Sequence, residues 1–377
     1  MNPIELIALS IQVPRALPVL WWTPPGWGKT QMVQQLSEAL DAHLETMIAS
    51  IAEPSDFGGL LVPDGRGGVA RLPLGWALRA NETEKKIALI FADEASSAPP
   101  ATQAAMLRVV NEGVTGDYRL KDHVRFVLAA NPADLAAGGW DLAPAMANRF
   151  LHVEQKGVDS DAFVDYHMSG SKVKQSIPRL DLDSWERMYE RTRALMTAFI
   201  RRRPDLLAED AKKYAGRFPL AFASPRTWEN VARMQAGCMS CGMDDAVLPC
   251  VVGSIGEPGG LEYLTFVKTV DLPDPDELLE HPEMYSPDPK RPDRDYCIVN
   301  AVAAAATRKQ KDAKVFAYRW ERAWEVLCRG MPAGKDIVVT GARTLAANRP
   351  KQGMIKDSVR KALTELSPVL RSSGLMD

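Results

Sequence analysis

"LPVLWWTPPGWGKTQ", residues 17–31, decides how the first half of this chain is read. A run of apolar residues leads into a Pro/Gly turn, then Lys29-Thr30, then a helical pattern without Gly or Pro in "KTQMVQQLSEAL". Strand, loop and helix in that order place a helix N-terminus at the mouth of the loop, where backbone N–H groups and the helix dipole favour an anion. A phosphate chain needs converging N–H groups, glycine where a side chain would collide, a lysine for the outer phosphates and a hydroxyl for a divalent cation. Pro25, Gly26, Trp27, Gly28, Lys29 and Thr30 supply this set. The pattern G-x-x-x-x-G-K-[ST] departs at its first position, where Thr23 replaces glycine. That position lies at the strand exit, farthest from the phosphates, and Pro24-Pro25 can impose the turn that glycine would ease. No ligand is lost by the change.

Working outward, apolar runs "LETMIASI", "IALIFADE", "VRFVLAAN" and "LHVEQ" alternate with helical segments up to about residue 155. This alternation predicts an α/β fold, a three-layer αβα domain around a parallel five-stranded sheet. Between the second and third runs, "FGGLLVPDGRGGVARLPL" has an Asp64-Gly65 turn with apolar arms, the mark of an inserted β-hairpin. Its arms are too short to bury much, so it is expected at the surface. From about 156 to 271 the spacing of apolar residues is helical. The stretch 272–294 is dense in Pro and Asp and predicts a linker without regular elements, followed by further helices in a C-terminal module, 295–377.

The third run ends in adjacent carboxylates, Asp93 and Glu94. At a sheet edge behind a phosphate loop, Asp93 can hold Mg²⁺ and Glu94 can orient or deprotonate a water. Elsewhere such a pair reads as helix-start charge. Asn131 ends the fourth run and offers an amide to a γ-phosphate or to that water; by itself it is an Asn-Pro turn. Arg149 in "AMANRF" and Arg226 in "SPRTW" are guanidinium groups of the kind that offset charge on transferring phosphoryl oxygens, with Ser224 as the N-cap of the later helix. Surface ion pairing is the ordinary use of both.

These five motifs, "TPPGWGKT", "LIFADEAS", "LAANP", "AMANRF" and "SPRTW", resemble in order and spacing those of AAA+ ATPases, particularly the MoxR-like branch. The resemblance covers about residues 1–270. It implies an AAA+ core over 1–155, an all-α lid over 156–271, and ATP with Mg²⁺ held by Thr30 and Asp93. It further implies that Glu94 is the catalytic carboxylate, Asn131 the first sensor, Arg149 an arginine finger acting on a neighbouring subunit, and Arg226 a second sensor reaching the phosphates from the lid. The hairpin within 57–74 then resembles the helix-2 insertion and "VTGDYRLKDH" the hairpin before the first sensor. A homo-hexameric ring and a protein client, such as a von Willebrand factor A domain protein, are also implied by the resemblance, with a chaperone-like remodelling role.

Composition narrows the alternatives. The formal charge is −2 over 377 residues, which gives no global attraction to nucleic acid, and no apolar run suits a signal peptide or a membrane span, so a cytoplasmic protein is expected. A nucleic-acid motor, as in GTP-dependent restriction systems, is the alternative from another class; "LAANPAD" lacks the Asn-Asp signature of those systems. A nucleotide-binding scaffold without turnover is opposed by Lys29, Asp93, Glu94 and Arg149. The five cysteines include Cys238-x-x-Cys241 with Cys250 nearby, read as reduced structural thiols at a helix end because no fourth ligand stands at zinc-finger spacing.

Overall fold

The computed structural model describes residues 2–132, 144–169, 177–210, 221–310, 312–350, 360 and 364–367. Two compact units are present, one formed by 1–182 with 207–261 and the other by 183–206 with 262–377. The segment expected as a lid, 156–271, is thus divided between them. The helical reading of 353–373 falls mostly outside the described residues.

The first unit opens with α1 (Pro3–Gln12), started by the Asn2 side chain accepting from the Ile4 N–H and buried along Ile4 and Leu6–Leu9. Then follow β1 (Val19–Trp22), α2 (Lys29–Ala39), β2 (His43–Ile48), α3 (Pro54–Gly58), β3 (Leu60–Pro63), β4 (Val69–Leu72), α4 (Gly75–Glu82) and β5 (Ala88–Asp93). The order continues with α5 (Pro100–Glu112), β6 (Val114–Thr115), β7 (Tyr118–Arg119), β8 (Val124–Ala130), α6 (Pro144–Ala147), β9 (Leu151–Glu154) and α7 (Ser160–Met168). Five strands form one parallel sheet in the order β2-β5-β8-β1-β9. These are the five apolar runs of the sequence, and β1 is buried along its whole length, as a strand covered on both faces must be.

Both expected hairpins exist, as β3–β4 and β6–β7. They are joined to each other: the Arg71 N–H donates to Asp117 Oδ2 at 2.8 Å and the Asp117 N–H to the Arg71 carbonyl at 3.1 Å. Leu61 and Val69 are 63% and 65% exposed, as a surface insertion requires, yet Phe57 just before the arms is buried in the core under the sheet. The stretch 57–74 is therefore surface hairpin with a core anchor at its start.

Helix α8 (Leu182–Arg202) runs into the second unit. Helices α9 (Pro225–Ser240) and α10 (Asp244–Ile255) belong to the first unit, and α11 (Glu257–Thr269) begins in the first and ends in the second. The linker expected at 272–294 is overturned. It contains α12 (Pro275–Glu280), capped by Asp274 accepting from the Asp276 N–H, with Pro275 at the first helical position, where a missing N–H costs nothing. Leu278 and Leu279 are buried, and Asp276 pairs with Arg308 and Arg319; Arg308 also pairs with Glu190 of α8. Proline here marks helix starts, and α13 (Pro292–Thr307) begins the same way before α14 (Ala313–Gly330) and α15 (Lys335–Ala347). Trp320 and Trp324 meet edge to face in this unit, and the Trp320 indole donates to the Leu345 carbonyl at 2.8 Å.

Candidate nucleotide site

The loop between β1 and α2 has the backbone that an anion cradle requires. Gly26 and Gly28 have φ of +81° and +78°, and Gly28 is the left-handed N-cap of α2 with no side chain capping the helix. A Cβ added at Gly28 would meet no atom within 4 Å, so glycine is needed for its conformation and not for space. The first N–H groups of α2 therefore face the loop without a side-chain partner, as a phosphate ligand requires. Thr23 answers for the missing glycine. It is fully buried, its N–H continues the β1–β8 ladder to the Ala130 carbonyl at 3.1 Å, and its hydroxyl bonds Gln155 Oε1 at 3.0 Å. The side chain anchors the loop to the sheet.

Three charged or polar groups from three elements converge behind the loop. Lys29 is 8% exposed; its Nζ donates to Asn131 Oδ1 at 2.9 Å and lies 3.7 Å from Asp93 Oδ1. Asp93 Oδ1 also accepts from the Glu94 N–H at 2.8 Å. Parallel strands end at the same edge, so β5 and β8 deliver Asp93 and Asn131 beside the helix start that carries Lys29. Glu94 has a left-handed φ of +58°, uncommon for a residue with a side chain and a feature that clusters at functional sites. Its carboxylate accepts a hydrogen bond from Ser50, just past the end of β2. Ser50 was not singled out from the sequence; the available signal was a polar residue near the end of the second apolar run, "LETMIASI", at the same edge. Thr30 opens the second position of α2 and is exposed toward solvent.

Arg149 and Arg226 are not at this edge. Arg149 lies between α6 and β9, where Leu151 pairs with Val19, the first residue of β1. The phosphate loop leaves the other end of β1. Arg226, capped into α9 by Ser224 through its reciprocal bonds with Thr227, lines the same cavity as Arg149, about 220 Å³ in volume, together with Leu17, Pro18, Asn111 and Asn230. The Arg149 guanidinium is held below the ordinary arginine range first by burial, then by the charge of Arg226, with Glu112 acting in the opposite sense. Its Nε is buried without a hydrogen-bond partner among the described residues. The implied reach of Arg226 to the phosphates of its own loop is therefore not what the fold provides, because α9 starts beside the edge where the strands begin.

A phosphate loop after β1, a carboxylate pair at the end of β5 and an amide just past β8, all at one edge of the sheet, define a nucleotide-hydrolysing P-loop domain. Residues 19–152 match the family model described as ATPase family associated with various cellular activities (AAA), and this region is an AAA+ ATPase domain. The match runs from the first residue of β1 into β9 and so encloses every site residue except Arg226. Among solved structures, a candidate ATPase from Cytophaga hutchinsonii is similar over 71% of this chain and 88% of its own, at 16% identity and a TM-score of 0.46. A full-length MCM homolog from Methanopyrus kandleri is similar over 70% of this chain and 53% of its own, at 18% identity and a TM-score of 0.36. NtrX from Brucella abortus is similar over 49% and 44% respectively, at 17% identity and a TM-score of 0.31. No curated protein matches the chain. Among the described residues no helix is long and apolar enough to cross a membrane. Cys238, Cys241 and Cys250 are free thiols, Cys238 and Cys250 are fully buried, and burial raises the Cys250 and Cys241 thiols above their usual range.

Proposed function

We propose that the chain hydrolyses ATP with Mg²⁺ in a ring of identical subunits and couples turnover to remodelling of a protein client. The carrying observation is the separation of the two charge sets: Lys29, Asp93 and Asn131 at one end of the sheet, Arg149 and Arg226 at the other. The N–H groups of Gly26 to Thr30 hold the phosphates, Lys29 exchanges Asn131 and Asp93 for the outer phosphate oxygens, and Thr30 and Asp93 hold the metal. Mg²⁺, when bound, neutralises charge on the phosphate oxygens. Glu94, oriented by Ser50, takes the proton of the attacking water, and Asn131, released by Lys29, senses the γ-phosphate. Among the described residues the groups at the loop, Lys29, Asp93 and Asn131, include no guanidinium, whereas Arg149 and Arg226 stand at the opposite edge without an ion pair, so both act on the nucleotide of a neighbour.

The test is mixing. Arg149→Ala and Lys29→Ala should each be nearly inactive, and mixed assemblies should regain part of the parent activity, since some interfaces then join an intact loop to an intact arginine. Mixtures that stay inactive while mixed assemblies form, or parent activity in Arg149→Ala alone, would overturn the assignment. A hexamer, a MoxR-like role and an A-domain client are supported by the motif set and tested by light scattering with nucleotide, and by client-stimulated phosphate release. The hairpin pair β3–β4 and β6–β7, with exposed Leu61 and Val69, is the proposed client contact.

A further inference from the structure

His152, the second residue of β9, is 4% exposed, and both of its ring nitrogens are bonded. Nδ1 accepts from the Trp22 indole N–H at 3.0 Å, and Nε2 donates to the Ala147 carbonyl at 2.8 Å. An indole nitrogen only donates and a carbonyl only accepts, so the pair of bonds requires the neutral imidazole with its proton on Nε2. The two partners stand at the two ends of the candidate machinery. Trp22 is the last residue of β1, immediately before the turn into the phosphate loop; Ala147 is the last residue of α6, two before Arg149. The Trp22 and His152 rings stack with centroids 6.0 Å apart at 25°. The backbone of His152 is engaged as well: a Cβ on Gly253 would fall 2.1 Å from the His152 carbonyl oxygen, so α10 rests directly on this residue.

We propose that His152 is a positioning residue that ties the exit of β1 into the phosphate loop to the corner carrying Arg149, so that a displacement at one end is passed to the other through one rigid ring. The proposal rests on the reading that Arg149 serves a neighbour's nucleotide. Leu20, which pairs with His152, is buried, and His152 itself is 4% exposed, so the ring is held by packing and cannot yield by swinging into solvent. Burial lowers the imidazole to about 4, and the neutral form with both bonds persists throughout the neutral range.

Two substitutions cut the tie at different ends. His152→Asn keeps an acceptor near the place of Nδ1 and removes the donor at Nε2; His152→Gln keeps a donor near Nε2 and removes the acceptor at Nδ1. In homogeneous assemblies of the full chain, His152→Asn should leave the Kd for a fluorescent ADP analogue unchanged and lower kcat by about tenfold, the scale of one lost buried hydrogen bond. His152→Gln should instead weaken nucleotide binding. A merely structural residue would change both quantities together in both variants, and that result overturns the proposal, as does parent behaviour in either. If the histidine variants do not fold, Trp22→Phe decides, since it keeps a ring against His152 and drops only the donor. It should reproduce the weakened binding, and parent-like affinity overturns the proposal. Mixing His152→Asn with Lys29→Ala should regain activity, whereas mixing it with Arg149→Ala should not. The Lys29→Ala and Arg149→Ala mixture serves as reference: its failure overturns the action in trans, while the split between binding and kcat still reports on His152.

Discussion

The two edges of the sheet treat charge in opposite ways. Where the strands end, Lys29 is buried but bonded to Asn131 and close to Asp93, and Glu94 is held by Ser50, so each charged group already has a partner that a ligand can replace. Where the strands begin, Arg149, Arg226 and Arg233 line one cavity with Glu229; Arg149 and Arg226 are in no ion pair among the described residues, and the charge of Arg226 adds to the burial that lowers Arg149. Nearby Arg233 shows what an arginine occupied within its own subunit looks like, since it is paired with Glu229 one helical turn away. A balanced edge is complete apart from its ligand; an unbalanced one has surplus positive charge to give away. The difference is the one that the proposed assembly of identical subunits would use, with Arg149 serving the nucleotide of a neighbour.

The largest expected effect breaks the unbalanced edge. Arginine fingers are worth about 10³ to 10⁵ in rate in well-studied phosphoryl transfer, so Arg149→Ala should lower kcat on that scale while nucleotide affinity in its own loop stays near the parent value. Equal loss of affinity and kcat, measured by titration and phosphate release, would return Arg149 to its own loop. At the balanced edge, Glu94→Gln should lower hydrolysis by about 10² to 10⁴ with ATP still bound, the span of one general base, whereas Lys29→Ala should lose binding. Loss of binding in both would erase the distinction between the two roles.

Between the edges, His152 makes the stability depend on pH. Its folded value of about 4 lies below the ordinary histidine value of 6.5, so the unfolded chain takes up the proton first as pH falls. The neutral side chain therefore stabilises the fold fully above pH 6.5, and this contribution is lost progressively down to about pH 4. The shift, 6.5 minus about 4, corresponds to about 3 kcal/mol. Denaturant unfolding of parent and His152→Asn across this range should show the slope in the parent only; the same slope in both would place the titration elsewhere. The smallest effect concerns the departure from the loop pattern. Thr23→Gly restores the glycine but removes the hydroxyl that bonds Gln155, so it should destabilise by about 1 kcal/mol and bring no gain in ATP affinity. A clear gain would show that Thr23 restrains the loop.

The sheet and the balanced edge were legible in the sequence because their signals are local. A strand buried on both faces reads as an apolar run, a phosphate loop as glycines at fixed spacing, and a carboxylate pair at the end of such a run can only emerge at a sheet edge. Strands that run parallel end together, so Lys29, Asp93 and Asn131 were bound to meet once the five runs had been recognised. Proline misled at 272–294, where Pro275 and Pro292 open helices and do not interrupt them, and the buried Leu278-Leu279 pair was the overlooked sign.

What the tertiary structure alone decided are placements that no window of sequence contains. Ser224-Pro225-Arg226 announces a helix start, yet whether that start faces the loop or Arg149 depends on how α9 packs, and it faces Arg149. Helix α8 carries an ordinary amphipathic stripe, which shows that it buries one face but not which unit receives it; the Glu190 bond to Arg308 places it with the C-terminal helices. Trp22 and His152 are 130 residues apart, and each by itself is one more residue in a buried strand. Local pattern determines which face of an element is apolar, because that follows from the periodicity of the backbone. Which faces meet follows from the closing of the whole core, and that is why the balanced edge could be read from the sequence and the placement of the arginine edge could not.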